Sequence, residues 1–134
     1  MLLAPALPAG AAADPAGDSG PVTVSLAGGD VLYTQADVGI LSQSDCGVGR
    51  FCIWSLPNYT GNMWQFGSNG SLSSLAATSY YSYWNNRSRV AQLSSTSSGG
   101  GSYYCIVPGG KTGYMSGWIV NARSVYLASF QTTC

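Results

Sequence analysis

The sequence predicts an all-β sandwich stapled by disulfides, and three observations carry that prediction. Apolar and polar residues alternate over Phe51–Ser55 and again over Asn62–Phe66, the period of half-buried strands, while no segment sustains the repeat of a helix. Turn residues punctuate the chain at short intervals, in Leu56-Pro57-Asn58-Tyr59-Thr60-Gly61, in Pro108-Gly109-Gly110 and in several Gly/Ser clusters. Four cysteines accompany a charged content of only 7%, a composition common in secreted β proteins, where turns and disulfides replace helices and ion pairs.

Residues 1–13 hold a short apolar run closed by Ala11-Ala12-Ala13, and read as a signal-peptide remnant that lacks its basic start. Residues 14–45 form an acidic linker or edge-strand segment. Within it DPAGDSGP is linker-like, Val22–Leu26 alternates as a strand, Gly28-Gly29-Asp30 turns the chain, and Val31–Tyr33 offers a second short strand. The domain proper is residues 46–134.

Cys46–Phe66 opens that domain as a hairpin. Pro57 fixes φ at its turn, Asn58 tolerates the left-handed region and Gly61 takes a positive φ. Leu72 and Leu75, three apart, predict one helical turn or a crossing loop. Ser79–Asn85, Arg87–Leu93 and Tyr103–Val107 read as strands, and Trp118–Leu127 ends the chain in a strand-like run. Ser94–Ser102 (SSTSSGGGS) is expected to be an exposed, mobile loop.

A weak internal repeat runs through these elements. Met63–Phe66 is followed by Ser82-Tyr83-Trp84, and Tyr104–Val107 by Ser124-Val125-Tyr126. Two units of about forty residues, each ending in a Ser-apolar-aromatic strand, suit paired Greek keys closing into a sandwich.

Charge narrows the function. The net charge is zero, yet the five acids (Asp14, Asp18, Asp30, Asp37, Asp45) all precede Cys46 and the five basic residues (Arg50, Arg87, Arg89, Lys111, Arg123) all follow it. With no His, no Glu and no acid after Cys46, the domain has neither a catalytic carboxylate pair nor a nucleophile–His–acid set. The chain is therefore expected not to be an enzyme, and to carry no cofactor and no metal. The sparse basic residues argue against nucleic acid as a partner, and no apolar run is long enough to span a membrane. A monomer is expected. The charge segregation also raises the prospect that the acidic segment folds back over the basic domain, a pairing that salt would screen.

The combination CGVGRFCIWSLPNYTG, SYWNNRSR and YYCIVPGGK resembles the bacterial peptidase-inhibitor family with a βγ-crystallin-like fold, known for actinobacterial metalloproteinase inhibitors. The resemblance spans about Cys46–Leu127, and Trp54-x4-Tyr59-x-Gly61 looks like the family's aromatic corner. It implies a βγ-crystallin-like sandwich of two Greek-key units. The matching corner of the second unit falls in SSTSSGGGS, which has no aromatic, so that hairpin is expected to be degenerate. Ala77-Thr78 and Ile119-Val120 stand where the family's calcium ligands belong, so no calcium site is expected.

Four cysteines allow three pairings. The favoured one is Cys46–Cys52 with Cys105–Cys134: Gly47 and Gly49 let the first ring close, and the second bond would staple the C-terminus. The resemblance implies a secreted inhibitor that offers rigid loops to an extracellular (metallo)protease. Its loop candidates are Arg50, Phe51, Leu56, Pro57, Asn58 and Tyr59, with core packing the competing role for Phe51 and Tyr59. The alternative is a cationic module that binds carbohydrate or an acidic cell-wall polymer, as killer-toxin-like crystallin relatives are proposed to. Nine Tyr and four Trp would supply its stacking platforms, although most such residues in a small sandwich belong to the core.

Overall fold

The computed structural model describes residues 22–26 (backbone only), 31–35, 42–67 and 70–134. The expected leader, the DPAGDSGP linker, the Gly28-Gly29-Asp30 turn and four of the five acids lie outside these residues. Asp45 is described, and it caps its own 3-10 turn by accepting from the Ser42 N–H at 2.5 Å.

The fold is all-β, with ten strands in two antiparallel sheets among the described residues. The strands are β1 Val22–Leu26, β2 Val31–Gln35, β3 Arg50–Leu56, β4 Thr60–Phe66, β5 Leu72–Ser74, β6 Ser82–Asn86, β7 Ala91–Ser94, β8 Tyr103–Ile106, β9 Lys111–Thr112 and β10 Ser124–Leu127. The larger sheet runs β1-β2-β4-β3-β6-β9 and the smaller β5-β10-β7-β8. β3, β4 and β6 stay together while β5 crosses to pair with β10; β7, β8 and β10 stay together while β9 crosses to pair with β6. Each half of the domain thus completes the other's sheet. β1 and β2 extend the larger sheet beyond β4, with Val31 opposite Phe66.

Several elements differ from the sequence reading: within Ser79–Asn85 the strand begins only at Ser82, and within Arg87–Leu93 only at Ala91. Leu72–Ser74 is a short strand rather than a helical turn, because its backbone bonds go to β10. Of Trp118–Leu127 only Ser124–Leu127 pairs, since Gly117–Asn121 forms a 3-10 turn whose exit is fixed by the Ala122 N–H on Ile119 O at 3.1 Å.

The alternation in β3 serves two cores. Phe51 and Ile53 face the smaller sheet, where they join Phe66, Tyr80, Tyr83, Leu93, Val125 and Leu127. Cys52 and Trp54 point the other way into a second cluster with Cys46 and Met63, roofed by Tyr59 and Trp84. β3 is therefore buried on both faces, not one. Each of these large apolar side chains contributes about 1.5–3 kcal/mol by leaving water. The Cys46–Cys52 bond closes the second cluster, and Gln65 Oε1 holds its loop by accepting from the Gly47 N–H at 2.9 Å. Cys105–Cys134 ties the C-terminus to the edge strand β8.

Candidate functional site

The hairpin between β3 and β4 folds back on itself. Asn58 and Tyr59 both have φ of 60° and Gly61 has 82°. Turn chemistry accounts for Asn58 and Gly61; a left-handed Tyr needs tertiary support, because that conformation costs an L-residue about 1–2 kcal/mol. The support comes from three sides. The Tyr59 N–H donates to Ser82 Oγ at 3.0 Å, and that hydroxyl donates to Leu56 O at 2.7 Å. The Asn58 N–H reaches Gly113 O at 2.7 Å, and Thr60 Oγ1 donates back to Pro57 O at 2.7 Å. The Tyr59 ring stands edge-on to Trp54, 5.1 Å between centroids, and its burial raises the phenol pKa.

Gly61 is obligatory here. A Cβ on it would lie 2.5 Å from Ser55 Oγ and 2.8 Å from Leu56 Cγ, while the Ser55 hydroxyl accepts from the Asn62 N–H at 2.9 Å.

The second hairpin repeats part of this arrangement. Gly101 has φ of 72°, and its Cβ would collide with Ser95 Oγ, which accepts from the Ser102 N–H at 2.9 Å. Gly99, with φ of 87°, stands where Tyr59 stands. Ser124 Oγ donates to Thr96 O at 2.6 Å, as Ser82 does to Leu56 O. The segment is exposed but not loose: Ser74 and Ser94 also bond to its carbonyls. Its corner lacks the aromatic and also the left-handed residue before it, since Ser98 has no positive φ, and the Gly99 N–H turns to Thr96 O at 3.3 Å rather than to Ser124. The spacing Ser55-x5-Gly61 and Ser95-x5-Gly101, each followed by the buried Ser82 or Ser124, is the signal that composition concealed.

The loop candidates fall into two separate places. Leu56 and Asn58 are exposed and Pro57 and Tyr59 partly so, all at the end of β3. Arg50 lies at the start of the same strand, about 20 Å away for seven residues at strand rise. Phe51 is fully buried between the sheets and offers no surface to a partner, which corrects its place among the loop candidates. The sequence reading missed the neighbour of the corner: the Gly113–Trp118 loop docks on it through Gly113 O and presents exposed Tyr114, whose ring packs on Tyr81 at 6.2 Å. Chain order hides that contact, because more than fifty residues separate Asn58 from Gly113.

Of the aromatics proposed as sugar platforms, Trp54, Tyr80 and Tyr83 are buried, and exposed rings remain at Tyr103, Tyr104, Tyr114 and Trp118. Among the described residues no group of three His, Cys, Asp or Glu side chains could hold a metal, and no helix is long and apolar enough to cross a membrane.

Comparison with known proteins decides what the corner belongs to. The model of peptidase inhibitor family I36 matches residues 41–106, a segment that runs from the first disulfide loop through both folded hairpins. This match supports a bacterial peptidase inhibitor family. No curated protein and no solved structure matches the chain. The match supports a peptidase-inhibitor function, which is not catalytic, and implies a protease as the partner.

Proposed function

We propose that the chain is a secreted, monomeric inhibitor that presents the Leu56–Tyr59 corner, with Tyr114 beside it, to the cleft of an extracellular metalloprotease on a βγ-crystallin-like scaffold of paired Greek keys. The observation that carries this reading is the rigidity of the corner. Two left-handed non-glycine residues are held by hydrogen bonds to Ser82 of β6 and to Gly113 of a distant loop, yet Leu56 stays 50% exposed. A loop already locked in its bound shape loses little entropy on association, which is how a small contact area reaches high affinity. The two disulfides support secretion, since such bonds persist in oxidising compartments.

A panel of metallo- and serine proteases titrated with the protein tests this. Stoichiometric loss of activity for a metalloprotease, relieved by Leu56→Asp at the exposed tip, is the expected result. Full activity of every protease in the panel would overturn it.

A further inference from the structure

The opposite end of β3 carries a feature that inhibition does not use. A concavity of about 210 Å³ opens there, lined by Gly49, Gly67, Arg87, Ser88, Arg89 and Ser129. Its floor is the Arg87 guanidinium, buried and clamped by Val90 O on Nη1 and Ala128 O on Nη2, both at 2.8 Å. Arg89 spans one wall: its Nε donates to Ser129 O at 3.2 Å, and its Nη1 donates to Ser88 O and Ser88 Oγ, each at 3.2 Å. Arg89 Nη2 donates to none of the described residues. Arg50 lies across Gly67 on the far rim, where a Cβ would sit 3.0 Å from its Nη1 and 3.1 Å from its Cζ.

Backbone carbonyls thus fix two guanidinium groups side by side before any ligand arrives. Burial, and then the neighbouring Arg89 charge, lower the pKa of Arg87. Like charges held together in a half-dry cleft create a strong local field for an anion. The shape of the donor set selects among anions. One guanidinium in the floor, another along the wall and the hydroxyls of Ser88 and Ser129 call for an acceptor with oxygens in three dimensions, whereas a planar carboxylate would satisfy a single fork. The bare face of Gly49, whose Cβ would meet nothing within 4 Å, leaves the mouth open to a group attached to a larger molecule.

We propose that this cleft is a phosphate-binding site, with Arg87 and Arg89 supplying charge and Ser88 and Ser129 supplying hydroxyls. It stands about 20 Å along β3 from the inhibitory corner, so both sites can be occupied at once. The phosphate arrives either as a free ion or as one unit of a phosphodiester polymer, which would hold the inhibitor at a polyanionic surface.

Amide chemical-shift titration of the full chain with inorganic phosphate, at ionic strength held constant with sodium chloride, tests the site. The expected result is saturable shifts at Gly49, Gly67, Ser88, Arg89 and Ser129, weakened at least tenfold by Arg89→Gln. Ser88→Asp, at an exposed position that tolerates substitution, places a carboxylate in the mouth and is expected to abolish binding even if Arg89→Gln fails to fold. Arg123→Gln, remote from the cleft, is expected to leave the titration unchanged. A parallel titration with poly(glycerol phosphate) identifies the source: competition with inorganic phosphate assigns the polymer, and binding of the free ion alone assigns a small phosphate. Shifts that fail to saturate, or that survive Ser88→Asp, would overturn the proposal.

Discussion

Gly61→Ala is the sharpest test of how the corner is held. The substitution forces an L-residue to a φ of 82° and puts a methyl 2.5 Å from Ser55 Oγ and 2.8 Å from Leu56 Cγ. Ser55 must then rotate, surrendering the bond it accepts from the Asn62 N–H at 2.9 Å. The left-handed conformation costs about 1–2 kcal/mol, the lost hydrogen bond about 1 kcal/mol and the overpacking about 1–3 kcal/mol, for a total of about 3–6 kcal/mol. Gly109→Ala isolates the first contribution, because Gly109 has φ of 79° and nothing within 4 Å of its Cβ; that variant is expected to lose only about 1–2 kcal/mol. Urea unfolding with the disulfides intact measures both. Equal losses in the two variants would refute the reasoning, since they would show that Ser55 and Leu56 make no steric demand. Gly101→Ala is expected to match Gly61→Ala in stability, because it collides with Ser95 in the same way.

The other predictions bear on the elements around the corner. Ser82→Ala leaves Leu56 O and the Tyr59 N–H without their partner and is expected to cost about 1–3 kcal/mol in urea unfolding. Tyr59→Ala removes the edge-on contact with Trp54 and is expected to cost about 2–3 kcal/mol, whereas Tyr59→Phe is expected to be nearly neutral. Removing Cys105–Cys134, which closes a separation of 29 residues, is expected to cost about 3.6 kcal/mol, against about 2.2 kcal/mol for Cys46–Cys52 with a separation of 6. The phenol pKa of Tyr80 is pushed up to about 12 by burial, with the Arg123 charge pulling the other way, so the unfolded chain releases this proton first as pH rises. Its contribution is intact below pH 10.0 and falls away between there and about pH 12, by about 1.4 kcal/mol per pH unit; Tyr80→Phe is expected to flatten that part of a stability–pH curve.

What the sequence disclosed and what it withheld follow one physical line. Strand periods, the Pro57–Gly61 turn and the Ser82/Ser124 repeat are local signals, and they translate directly into β3, β4, β6 and β10. The outer cluster around Cys52 and Trp54 is not local. A strand buried on both faces alternates between two cores, and nothing in Phe51–Ser55 alone tells that the second face is roofed by Tyr59 and Trp84. Phe51 looked like a contact residue because it follows the Gly47–Arg50 loop, yet its partners are Phe66 and Asn85 on neighbouring strands. The SSTSSGGGS loop looked structureless because its support comes from hydroxyl–carbonyl bonds to Ser74, Ser94 and Ser124, which composition counts only as polarity. Arg87 is the same lesson in charge: a surface residue by type, it is buried because carbonyls of two different segments converge on it.

Inhibition by the two stability-matched corner variants tests the central claim most directly. Gly61→Ala and Gly101→Ala distort equivalent hairpins, but only the first carries Leu56, Asn58 and Tyr59. A metalloprotease that the unmodified protein inhibits is expected to escape Gly61→Ala and to remain inhibited by Gly101→Ala. Equal inhibition by both variants would place the contact elsewhere on the molecule.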